Sequence, residues 1–165
     1  MTPPPDADKL LGVYLNDHLT GAMGGAELAR RLANAERNWS GGGELALVAD
    51  EIETDRATLR EIMARLNVPE QFYRTWLGWA GEKAGRLKTN RRLFTRSPLS
   101  RVLELELLRL GIEGKAAGWR TLLNVAETEP RLSSDQLERL IGRAQSQIDT
   151  VEELRIRAAR EVFVR

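Results

Sequence analysis

The chain holds a single histidine, His18, and an acid stands beside it at Asp17. Imidazole and carboxylate are ordinary ligands of iron, manganese and zinc, so the pair raises the question of a metal site. Such a site needs oxygens from other parts of the chain, and Glu51 or Glu53 and Glu113 are the candidates. Neighbouring residues on a helix point about 100° apart, which suits a compact site poorly. The competing reading is a polar pair at the edge of a packing seam. His18 would then be hydrogen-bonded to a neighbour such as Tyr14, one turn back.

Two further groupings could carry chemistry. Asp50, Glu51, Glu53 and Asp55 form an acidic turn, in which Asp50 shares a helix face with Glu53 and Glu51 with Asp55. Paired carboxylates can hold a cation or do acid–base work. The plainer reading is a solvated face with Arg56 and Arg60 as partners. The stretch from Lys83 to Arg101 is basic and ends where a helix should begin, and free N–H groups there attract anions. Arg91, Arg92, Arg96 and Arg101 are therefore candidates for binding a phosphate, a nucleic acid or an anionic partner. A formal net charge of +1 and the lack of a nucleic-acid motif argue against nucleic acid.

Other classes of chemistry fall away. There is no cysteine, which removes disulfides, thiolate nucleophiles and zinc–thiolate sites. The glycines at 41–43 follow a helix and lack the downstream Lys-Ser/Thr of a phosphate loop. No apolar run approaches the ~20 residues of a membrane span. The start has neither the basic nor the apolar region of a secretory signal. Together with the absent cysteine, this leads us to expect a cytoplasmic protein without a membrane partner.

The elements that must position these residues are helices. Residues 1–6 read as a disordered Pro-rich leader, and 7–165 as one domain. A first helix is predicted from about Ala7 to Arg37, with Leu10, Val13, Tyr14, Gly21, Gly24, Leu28, Leu32 and Ala35 on its inner stripe and Asp6 or Asp8 as cap. The glycines after Trp39 end it. A second runs from about Glu44 to Leu66 on Leu45, Val48, Ile52, Leu59, Ile62 and Leu66, with its seam interrupted around Asp55-Arg56. A shorter helix, about Glu70 to Lys88, carries Phe72, Trp76 and Trp79 as one apolar stripe. Ser97-Pro98 starts another, to about Glu127.

That helix has two apolar stripes. One is Leu103, Leu107, Leu110, Gly114, Ala117, Thr121 and Val125; the other is Leu105, Leu108, Ile112, Trp119, Leu122 and Ala126. Both should be covered, the second by the aromatic helix. Ser133 and Gln136 read as a capping box for a last helix to about Val162. The run Gly21, Ala22, Gly24, Gly25, Ala26 costs helix propensity, up to ~1 kcal/mol per glycine. It therefore implies close helix approach, within the chain or across a homodimer, or room for a large side chain such as Trp119. An apolar pocket is the functional alternative. No segment shows strand alternation. Two helix hairpins joined by a long crossover make an all-α, four-helix bundle of the ferritin-like plan.

With that order in hand, YLNDHLTGAMGGAELARRLA and ELALVADEIETDRATLREIMARL resemble the first two helices of the ferritin-like superfamily, and within it the bacterial YciF-type stress-protein family. WLGWAGEKAGRLK is similar to that family's short inter-hairpin helix, and GKAAGWRTLLNVAE to the end of its third long helix. The resemblance implies a stress-related protein and a di-iron or di-manganese centre. That centre takes a Glu from each of two helices and Glu-x-x-His from the other two. No Glu-x-x-His exists here, since Leu15 stands three residues before His18. The ligand positions read as Gly21 or Ala22, Ile52 or Glu51, and Glu113. The expectation is a non-enzymatic structural or interaction protein, a homodimer without cofactor. The alternatives are a metal-binding or oxidoreductase protein using iron or manganese around Asp17, His18, Glu51 and Glu113, and an anion binder on the basic crossover.

Overall fold

The computed structural model describes residues 6–71 and 97–164. They form four helices: α1 Ala7–Ala35, α2 Gly42–Arg65, α3 Pro98–Ala126 and α4 Ser134–Phe163. No strand occurs among them, and no helix is long and apolar enough to cross a membrane. Each boundary lies within about two residues of the sequence expectation. The expected aromatic helix, the leader up to Pro5, and Arg91, Arg92 and Arg96 lie outside the described residues.

Local chemistry explains the ends. Ser97 caps α3 by accepting from the Leu99 N–H at 3.3 Å, with Pro98 in the first turn. Ser133 caps α4 by accepting from the Gln136 N–H at 3.3 Å. The capping box is only half made, because the Gln136 side chain instead accepts from Arg65 Nη2 at 2.6 Å. Asp6 stands at the N-cap of α1 but makes no side-chain cap bond. Asn67, in the left-handed region at φ 58°, ends α2 while the Val68 N–H bonds back to Met63 O at 2.9 Å. The α1–α2 turn needs glycine for closeness. A Cβ on Gly41 would lie 2.5 Å from Leu154 and Trp39, and one on Gly42 would lie 2.5 Å from the Glu36 carbonyl.

Cross-links fix the topology. Tyr14 Oη donates to Thr121 Oγ1 at 3.0 Å, and Arg31 reaches Glu104 at 3.3 Å, so α1 and α3 run antiparallel. Arg157–Glu44 and Arg65–Gln136 make α2 and α4 antiparallel. The short turn after α1, with Asn16 bonded to Pro69 beyond the end of α2, makes α1 and α2 antiparallel too, so α2 and α3 point the same way. Buried Asn16 pins the exit from α2, donating to Gly12 O and Pro69 O and accepting from the Gln71 N–H at 2.6 Å. Gln71 and Ser97 thus lie at opposite ends of the bundle.

The buried face of α2 follows its sequence pattern, with Asp55 inside it, and that of α4 runs through Leu137, Leu140, Ala144, Gln147, Ile148, Val151, Leu154 and Ala158. The faces of α1 and α3 correct the sequence pattern. In α1 the buried residues are Leu15, Asn16, Leu19, Ala26, Ala29 and Leu32, whereas Leu10 is 61% and Val13 42% exposed. In α3 only the Leu105, Leu108, Ile112, Trp119 and Leu122 stripe is buried, and it faces the bundle core. The other stripe points outward, with Leu103, Leu107 and Leu110 each more than half exposed. Both helices carry two apolar stripes, and periodicity alone cannot choose between them.

Candidate functional site

Among the described residues, Asp55 and Gln147 are buried in the bundle interior at the centre of one polar knot. The sequence reading placed this acid on a solvated face or in a broken seam; it is in fact 1% exposed. Its phase explains why. Asp55 falls between Ile52 and Leu59 on the inward side of α2. Lys115 points in from α3, and Arg143 and Gln147 come from α4. Lys115 Nζ donates to Asp55 Oδ2 at 2.5 Å and also to Gln147 Oε1. Arg143 Nε donates to Asp55 Oδ1 at 2.8 Å, and Nη2 reaches the same oxygen. Gln147 Nε2 donates to Glu51 Oε2 at 2.9 Å and to Asp55 Oδ2 at 3.3 Å.

Both oxygens of Asp55 are therefore occupied by donors from two other helices. The buried Asp55 carboxylate thus meets one ammonium and one guanidinium, and the exposed Glu51 joins the cluster through Gln147. Burial pulls the Lys115 ammonium below its ordinary value, with Arg143 acting in the same direction and Asp55 and Glu51 opposing it. The Glu51–Asp55 pairing on one face, read from the sequence, is real. The cation it holds comes from the chain itself.

The level of the knot along the bundle matters. Tyr14 meets Thr121, and a Cβ on Gly118 would lie 2.9 Å from the His18 ring. Counting back along the antiparallel pair brings Thr20 and Gly21 level with Lys115. Gly21 is one of the positions at which the resemblance expects a carboxylate, and it is exposed.

The metal candidates stay apart. Asp17 is exposed. The His18 ring packs against Gly118 and leans on Tyr14, with centroids 4.4 Å apart and planes at 58°. Tyr14 does not hydrogen-bond it, because its hydroxyl goes to Thr121. Burial lowers the His18 pKa, and Asp17 opposes the shift. Glu51 serves Gln147, and Glu113 turns toward Arg109 at 3.6 Å, which also reaches Glu152 of α4. Among the described residues no group of three or more His, Cys, Asp or Glu side chains could hold a metal ion.

The remaining candidates resolve differently. Arg101 is taken up at the other end of the bundle. It donates to Glu36 and to Glu161, each at 2.7 Å, and lies 4.5 Å over the Trp39 ring. A free anion would have to displace two carboxylates there. Glu53 pairs with Arg56 as expected, but Arg60 reaches Glu70. The glycine run of α1 is not a seam among the described residues: a Cβ on Gly21, Gly24 or Gly25 would meet nothing within 4 Å. Trp119 is not housed there; it is buried in the core with Nε1 unpartnered. Lys115, Arg143, Gln147 and Gly118 were missed by sequence reasoning. The available signal was a polar residue at the apolar phase of three helices: Asp55 in α2, Lys115 beside Ile112 and Ala116, and Gln147 beside Ile148. No protein-family model, curated protein or solved structure gives a significant match to the chain.

Proposed function

We propose that the chain is a ferritin-like bundle without a standard di-metal centre, a cytoplasmic structural and interaction protein that acts as a homodimer and not by catalysis. The Asp55 knot carries the reading. At the level where a ferritin-like bundle gathers carboxylates around two cations, Asp55 is saturated by Lys115, Arg143 and Gln147. A metal entering there would have to displace an ammonium and a guanidinium. Such a centre also needs inward carboxylates from all four helices, and α1 brings no acid to that level, where Thr20 and Gly21 stand and the nearest buried residues are Leu19 and Ala26. The parallel course of α2 and α3 supports the ferritin-like part of the reading, because one long crossover produces it. The stress-related role rests on the sequence resemblance alone.

Two measurements on one preparation test this. Protein purified without added metal should contain far less than one iron, manganese or zinc per chain, and sedimentation equilibrium should give a dimer. Stoichiometric metal that disappears in a His18→Ala variant would instead establish a metal protein centred on Asp17 and His18.

A further inference from the structure

The outward stripe of α3 is large at one end and small at the other. Leu99, Leu103, Leu107 and Leu110 occupy its first half, and all four are exposed. Gly111, Gly114 and Ala117 occupy its second half, also exposed, and a Cβ on either glycine would meet nothing within 4 Å. Apart from the adjacent pair Leu110 and Gly111, the positions recur at steps of three and four, so they form one ridge that falls away into a groove. No charged residue interrupts the stripe, since Glu106, Arg109 and Glu113 lie to the side that faces α4.

We propose that this face is where two copies of the chain meet, with their α3 helices antiparallel across a two-fold axis near Leu110 and Gly111. That operation sets Leu107 against the partner's Gly114 and Leu103 against the partner's Ala117, and each contact is made twice. A two-fold interface must be self-complementary, and a helix with leucine in one half and glycine in the other satisfies that condition by itself. The area is adequate. From Leu99 to Thr121 the stripe is roughly 33 Å long. The neighbouring outward side of α1 adds Leu10, Gly21 and Gly24, all exposed, with the exposed Asp17 between them, which makes the face two helices wide, about 20 Å. That gives on the order of 650 Å² per copy, near the ~800 Å² of a standard interface. The inference rests on the reading of the chain as a homodimer and adds where the copies touch.

Sedimentation equilibrium of the full chain, with variants, tests it. Wild type should dimerise. Leu107→Glu should weaken the dimer at least ~10-fold with helical content unchanged, and Gly114→Leu should do the same by filling the groove. The chain has no cysteine, so single thiols report cleanly. Gly111→Cys, next to the axis, should form a disulfide-linked dimer on oxidation, whereas Leu47→Cys on α2 should not. If Leu107→Glu unfolds, the Gly111→Cys result decides. A wild-type dimer indifferent to Leu107→Glu and Gly114→Leu, with no Gly111→Cys cross-link, overturns this interface and leaves the homodimer standing. A wild-type monomer overturns both, as does a monomer whose Leu107→Cys thiol is shielded from reagent, since the chain itself would then cover the face.

Discussion

At the scale of single residues, the protein turns on how it satisfies one buried acid. Asp55 was legible as a break in the α2 seam but not as its centre. The partners that explain it lie 60 and 88 positions away, beyond any local pattern. Removing one side of a buried ion cluster leaves uncompensated charge, which typically costs about 3–5 kcal/mol. Asp55→Ala should therefore destabilise the bundle by about that amount in urea titration. Asp55→Leu combined with Lys115→Leu should recover most of the loss, because Arg143 is 34% exposed and can turn to water. If the double variant is as unstable as the single, the charge balance is not what the cluster provides. His18 sets a second test. Unfolded, it titrates near 6.5; folded, burial holds it lower, with Asp17 opposing. As pH falls, the unfolded chain binds the proton first. The stability linked to the neutral ring is thus present above about 6.5 and lost as pH falls through the lowered folded value. His18→Leu should flatten the stability curve between about pH 7 and 5, and an unchanged slope would refute the assignment.

At the scale of elements, the helix ends could be read and two of the faces could not. Ser97-Pro98 and Ser133 are local signals that act where the sequence puts them, whereas the glycines expected to end α1 open α2, and α1 stops earlier, at Ala35. The faces of α1 and α3 depend on which of two apolar stripes finds partners, and that is a tertiary matter. In α1 the error came from counting Gly21 and Gly24 as packing residues when the buried stripe runs through Leu15, Leu19, Ala26 and Ala29. The α1–α2 turn yields a sharper expectation. An added Cβ at Gly42 meets backbone oxygen that cannot move aside, whereas at Gly43 it meets nothing within 4 Å. Gly42→Ala should lose about 1–3 kcal/mol, the range for overpacking. Gly43→Ala, one residue on, should stay within about 0.5 kcal/mol of wild type. Comparable losses at both positions in chemical unfolding would show that the turn is not held by close approach.

At the scale of the whole molecule, α2, α3 and α4 meet in the interior through their own charged and amide side chains, and α1 brings no acid to that level. The bundle class and the helix order were legible in the sequence. The absence of Glu-x-x-His pointed away from a di-metal centre, but nothing local foretold that Lys115 and Arg143 would stand at Asp55. On the proposed function, this bundle holds together through side-chain ions and needs no metal. A ligand that binds only the folded chain raises its unfolding midpoint, so removing that ligand must lower it. The most direct measurement is the thermal midpoint of the full chain before and after exhaustive chelation. The account predicts the same midpoint in both. A midpoint that falls on chelation and returns with iron or manganese would contradict it.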